Sequence, residues 1–149
     1  MKCLIFFVLV VAAVASAQMD PEMKQQMMAV MTEIATNCAK QENANPEELT
    51  NLMAKKVPTT KEGKCLLACF NEHVKMQTPD GKMNLDGALG TIEVFKEPAP
   101  QVYEAMVAVF KKCFPETEHL SDRCDVAGKF AECAASVSHE MGLDAALGH

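Results

Sequence analysis

The sequence has no tryptophan, one tyrosine and only 5% aromatic residues. With so few large aromatics, the methionines stand out among the apolar side chains available to fill the interior. No sustained period-two pattern and no Asn-Gly turn occurs, which argues against strands and hairpins. No basic excess is present, because 14 Lys and Arg residues face 20 Asp and Glu residues. Nucleic acid is thus not an expected partner. No Gly-x-Ser-x-Gly motif and no Cys-Cys-x-x-His run is found, so lipase and phospholipase chemistry lacks its nucleophile or metal loop. His73, His119, His139 and His149 have no short paired spacing suited to a metal. No catalytic set, metal site or cofactor is expected, and the protein reads as a non-enzyme.

Long apolar runs are also missing beyond the start of the chain. Met1-Lys2 is followed by an apolar run from Leu4 to Val14, then by the small residues Ala15, Ser16 and Ala17. This predicts a signal peptide over 1–17, cut before Gln18, and a secreted protein. The run is too short to span a bilayer, and no later one is longer. Removing seventeen of the 149 residues leaves 132, enough for one domain over 18–149. With Lys2 gone, 13 basic residues oppose 20 acidic ones, a formal charge of −7.

Cysteine and methionine are what the chain does have. Cys3 leaves with the signal, so seven cysteines become six, spaced Cys38-x26-Cys65-x3-Cys69-x43-Cys113-x10-Cys124-x8-Cys133. An even number behind a secretion signal implies three disulfides. The x3 gap sets Cys65 and Cys69 one helical turn apart, so each should bridge to a different segment. Eleven methionines suit an irregular apolar interior, since the thioether side chain is flexible and polarizable.

Helical signals recur six times, predicting an all-α bundle. Asp20-Pro21 opens the first helix, with Met23, Met27, Met31, Ile34 and Cys38 on one face. Asn45 caps the second, with Glu48 placed to reach back and Leu49, Leu52 and Met53 inward. A capping box from Thr59 to Glu62 opens the third, which carries Cys65, Leu66, Cys69, Phe70, His73 and Val74. Asn84 starts the fourth, with Leu85, Leu89, Ile92 and Phe95 inward. Gly87 and Gly90 make it the least secure, at about 1 kcal/mol each. The fifth follows Pro98 and Pro100 and buries Val102, Met106, Val109, Phe110 and Cys113. The sixth runs from about Ser121 to Met141, with Cys124, Phe130, Cys133, Ala134 and Val137 inward, and Gly142 stops it. Lys82, Asn84, Asp86, Gly87 and Glu93 nearly match a calcium loop. However, a lysine at the first ligand position repels the ion, and Asn84 and Asp86 read as helix-start residues.

Six cysteines on helices, with the x3 and x8 gaps and the run Gly63 to Cys69, make the chain similar to the insect odorant-binding proteins over Gln18 to His149. Sequence alone allows fifteen pairings of six cysteines. The resemblance implies Cys38–Cys69, Cys65–Cys124 and Cys113–Cys133. It further implies one apolar cavity inside a monomer or weak homodimer. Such a protein would carry small hydrophobic volatile odorants or pheromones through aqueous lymph to an olfactory receptor.

Helical spacing and the family together nominate the cavity lining. Met27 and Met31 come from helix one, and Leu67 and Asn71 from helix three. Leu85, Leu89 and Ile92 come from helix four. Val107 and Phe110 come from helix five, and Phe130 and Ala134 from helix six. Asn71 or Tyr103 would supply the directional hydrogen bond. The tail is expected either to cover the mouth as a lid, through Leu143 or Leu147, which charging of His139 and His149 would loosen at low pH, or to lie frayed and solvated without effect on affinity. The alternatives are a scavenger or carrier of the same fold in saliva, venom or reproductive fluid, and an interaction protein with a filled core.

Overall fold

The computed structural model describes residues 20–142. The predicted signal peptide and the lid residues Leu143 and Leu147 lie outside the described residues. Among the described residues, six helices follow one another: α1 Pro21–Gln41, α2 Pro46–Met53, α3 Lys61–His73, α4 Leu85–Ile92, α5 Pro100–Cys113 and α6 Arg123–Glu140. Short 3-10 turns, Glu93–Phe95 and Pro115–Thr117, extend α4 and α5. Phe95, in the first of these turns, still packs inward on the same core as Leu85, Leu89 and Ile92. Among the described residues there is no strand, only an isolated bridge between Gln77 and Met83.

Helix starts follow the caps. Asp20 accepts from the Glu22 N–H at 2.9 Å, Asn45 from Glu48 at 3.1 Å and Asn84 from Gly87 at 3.1 Å. The cap of α3 is Thr60, one residue later than expected. Its Oγ accepts from the Gly63 N–H at 3.0 Å and donates to Glu48 Oε1 at 2.6 Å. Glu48 consequently does not reach back to Asn45. It is buried between α2 and α3, where the threonine hydroxyl satisfies it.

Asp122 caps α6, accepting from the N–H groups of Cys124 at 2.9 Å and Asp125 at 3.1 Å. The Asp125 N–H is the largest cause of a carboxyl held below the usual range. Burial opposes it, while the Cys124 N–H, Lys61 and Arg123 reinforce it. A depressed folded pKa stabilises above the unfolded value near 3.8 and loses that contribution as pH falls below it. Asp122→Ala should cost about 1 kcal/mol at pH 7. Urea unfolding at pH 7 and again at pH 3 checks this; the deficit should shrink at the lower pH.

Three helices end in a left-handed residue that is not glycine: Asn43 at φ 52°, Lys55 at 57° and Lys75 at 63°. Each is followed by an N–H that reaches back five residues: Ala44 to the Ala39 carbonyl, Lys56 to Asn51, and Met76 to Asn71. These bonds satisfy the helix-end carbonyls and offset the roughly 1–2 kcal/mol cost of the left-handed backbone. Gly142, at φ 68°, ends α6 without that cost.

The most extensive helix contact is between α3 and α6, joined by Cys65–Cys124. Cys38–Cys69 ties α1 to α3, and Cys113–Cys133 ties α5 to α6. Two cores result. One surrounds Cys38, Ala39, Leu66 and Cys69, and the other gathers Ala88, Ile92, Val109, Phe110, Phe114, Phe130 and Val137. Arg123, the chain's single arginine, joins the start of α6 to Glu42 beyond α1 and to Glu72 of α3. Its planar fork can serve both carboxylates at once, which a lysine ammonium does less well.

The two glycines of α4 differ in role. A Cβ on Gly87 would lie 2.1 Å from the Lys75 carbonyl, whereas one on Gly90 would meet nothing within 4 Å. Gly87 therefore lets the end of α3 dock, a contact that Thr91 completes by donating to the Val74 carbonyl. Gly90→Ala should stabilise by about 0.5–1 kcal/mol. Gly87→Ala should destabilise by about 1–3 kcal/mol. Opposite shifts in melting temperature are the expected result.

Candidate ligand cavity

A cavity of about 590 Å3 opens beside the α3–α6 pair. Met28 and Met31 of α1 form one wall, and Leu52 and Met53 close the end of α2. The link Lys55, Lys56, Val57 and Pro58 forms a lip. Leu67, Phe70 and Asn71 of α3, with Met76, face Ala131, Ala134, Ala135 and Ser138 of α6. The cavity touches both cores, since Leu52 packs on one and Met76 and Ala134 pack on the other. Met28, 47% exposed, and the exposed Lys55 and Lys56 stand where it meets solvent. Four methionine thioethers, aliphatic carbons and one phenyl ring make a deformable apolar wall. Asn71 and Ser138 are its buried polar groups.

Of the residues nominated from sequence, Met31, Leu67, Asn71 and Ala134 line this cavity. Met27 is half-buried on α1 but off the wall, and its neighbour Met28 takes the place. Ile92, Phe110 and Phe130 are packed into the second core, with Leu85, Leu89, Tyr103 and Val107 against it. Phe110 and Leu85 border a smaller pocket of about 270 Å3, with Lys82 and Phe114. Lys96 Nζ lies 6.0 Å above the Tyr103 ring, which is off the cavity wall.

α4 and α5, which carry the nominated Leu85, Leu89, Ile92, Tyr103, Val107 and Phe110, do not border this cavity. The rings of Phe110, Phe114 and Phe130 are the reason. Their centroids lie 5.2 to 6.1 Å apart, so they fill the space under α5 themselves. On α6, Phe130, Cys133 and Val137 face that cluster. One residue further along the helix is a rotation of about 100°, which turns Ala131, Ala134 and Ser138 to the cavity. Sequence reading missed Met28, Met76, Ala131, Ala135, Ser138 and the 55–58 link. It did read Leu52 and Met53 as inward. The methionine surplus was the available signal, and Met28, Met31, Met53 and Met76 are what it pointed to.

Among the described residues, Cys38, Cys69 and His73 form the cluster with metal-like spacing, their donor atoms within 4.8 Å. The two sulfurs are joined in a disulfide and offer no thiolate. His73 Nδ1 instead lies 2.9 Å from the Cys69 carbonyl. At the near-match to a calcium loop, Asn84 caps α4, and Lys82 Nζ donates to the Leu120 carbonyl at 2.9 Å.

The sequence model of the PBP/GOBP family matches residues 20–136. General odorant-binding protein 19d of Drosophila melanogaster is 30% identical over 112 residues, which is 75% of this chain and 74% of that protein. Among solved structures, odorant-binding protein dmelOBP28a of Drosophila melanogaster superposes with a TM-score of 0.66 at 20% identity, covering 80% of this chain and 98% of that one. The fatty acid binding protein OBP56a, from the oral disk of the blowfly Phormia regina, gives 0.60 at 27% identity, covering 82% and 96%.

Proposed function

The chain belongs to the PBP/GOBP family, and on that premise we propose that it is a secreted monomer or weak homodimer carrying small odorants or pheromones through aqueous lymph to receptors. At the coarser level the family makes it a carrier of hydrophobic ligands and not an enzyme. The observation that carries the proposal is the apolar cavity of about 590 Å3, whose wall includes four methionines. That volume lies within the usual range for small-molecule sites. Alcohols, esters, aldehydes and terpenoids of eight to twelve carbons are the proposed ligands. A ligand of about 14 heavy atoms at roughly 0.5 kcal/mol each binds with micromolar affinity. Secretion accords with three disulfides, which persist in oxidising compartments.

The test is a titration of residues 18–149 with N-phenyl-1-naphthylamine, followed by displacement with those ligands. Probe uptake and micromolar displacement are expected. A chain that takes up neither probe nor ligand is no carrier, and its cavity would then be a packing defect. The neighbour named as a fatty acid binding protein of the oral disk favours a second reading, a carrier or scavenger outside olfaction. Transcript location separates the two: antennal expression supports the first, and salivary, venom or reproductive expression the second.

A further inference from the structure

Asn71 is 2% exposed and forms part of the cavity wall. The two ends of its amide are alike in size, so shape alone does not tell oxygen from nitrogen. Gln77, also 2% exposed, does. Its Nε2 donates to the Gly81 carbonyl at 3.0 Å and to the Arg123 carbonyl at 2.9 Å. Both partners only accept, so that end of Gln77 must be the nitrogen. Gln77 Oε1 then faces Asn71 at 3.5 Å and requires a donor, which is Asn71 Nδ2. The other branch of the Asn71 amide is Oδ1. Among the described residues, no N–H or O–H group reaches it, yet it is not an orphaned buried atom. It is therefore open to the cavity.

We infer that Asn71 Oδ1 is a fixed hydrogen-bond acceptor in the cavity, oriented by Gln77, and that the site selects ligands carrying an O–H or N–H donor. Long-chain and terpenoid alcohols fit this requirement. Aldehydes, ethers and esters of the same shape bring a second acceptor against the first and leave both without a proton. Ser138, on the same cavity, does not discriminate, because a hydroxyl rotates to offer either role. Gln77 is a positioning residue, acting only through the amide it holds. The inference rests on the carrier reading and narrows its ligand class.

The experiment compares 1-nonanol, nonanal and 1-methoxyoctane as displacers of N-phenyl-1-naphthylamine from the wild-type chain, from Asn71→Leu and from Gln77→Met. The wild type should bind the alcohol about tenfold more tightly than the ether or aldehyde. In Asn71→Leu the three affinities, each taken relative to that variant's own probe affinity, should converge. In Gln77→Met the preference should weaken although Asn71 is intact. The wild-type comparison stands alone if a variant fails to fold. Equal wild-type affinities overturn this inference and leave the carrier reading intact. Preference for the aldehyde also overturns it, because the remaining Asn71 N–H would then face the ligand. Failure of the probe and all three displacers to bind overturns both.

Discussion

Replacing Cys65 and Cys124 together with alanine should destabilise the protein by about 4 kcal/mol, the largest loss among the three disulfides. The bond joins residues 59 apart in sequence, against 31 for Cys38–Cys69 and 20 for Cys113–Cys133. In the chain-entropy model the longest loop restricts the unfolded chain most, giving roughly 4.3, 3.7 and 3.3 kcal/mol in that order. Position acts in the same direction. Cys65–Cys124 fastens α3 to α6, the two helices with the most extensive contact, which together border the cavity. A cavity forfeits packing contacts that a filled core would have. The covalent link offsets part of that loss. The measurement is thermal and urea unfolding of the three double alanine variants. A melting temperature lower by about 10–20 °C is expected for Cys65/Cys124. A loss below that of the Cys113/Cys133 variant would sink the argument from loop length and position.

Ala134→Trp should abolish ligand binding with little effect on stability, whereas Phe110→Ala should do the reverse. Ala134 is half-buried on the cavity wall, where an indole has open space to enter. Filling that space removes the apolar contacts from which micromolar affinity comes, and a loss of at least about thirtyfold is expected. Phe110 is 3% exposed and packed against Phe114 and Phe130. Truncating it leaves a hole in a rigid aromatic cluster and should cost about 3–5 kcal/mol. Probe titration and calorimetry on the two variants decide the matter. Unchanged affinity in Ala134→Trp would place the ligand elsewhere. Lost affinity with full stability in Phe110→Ala would move the site to the α4–α5 side.

Much of the local structure was legible because local chemistry decides it. Asp20, Asn45 and Asn84 cap helices where their short polar side chains precede an amphipathic run. Thr60 displaced Thr59 because Glu48 of the neighbouring helix accepts a hydrogen bond from its hydroxyl, a partner twelve residues away. The left-handed ends at Asn43, Lys55 and Lys75 were not legible. Lysine has no preference for that backbone, and the next element's path imposes it. Gln77 gave no signal either. Its value comes from two carbonyls and one amide that meet only after the 75–84 segment folds over α6.

By itself the sequence determined the six helices of the described residues, six cysteines over 38–133, a methionine surplus that marks an apolar wall, and the family. Each follows from periodicity, spacing or composition, which are properties of neighbours along the chain. Only the tertiary structure decided where the empty space lies. Periodicity tells inward from outward, and a helix such as α6 has two inward faces about 100° apart. Which face meets phenyl rings and which meets a void depends on how α5 and α3 pack against it. That packing is fixed by contacts distant in sequence, so Phe130 became core and Ala134 became wall.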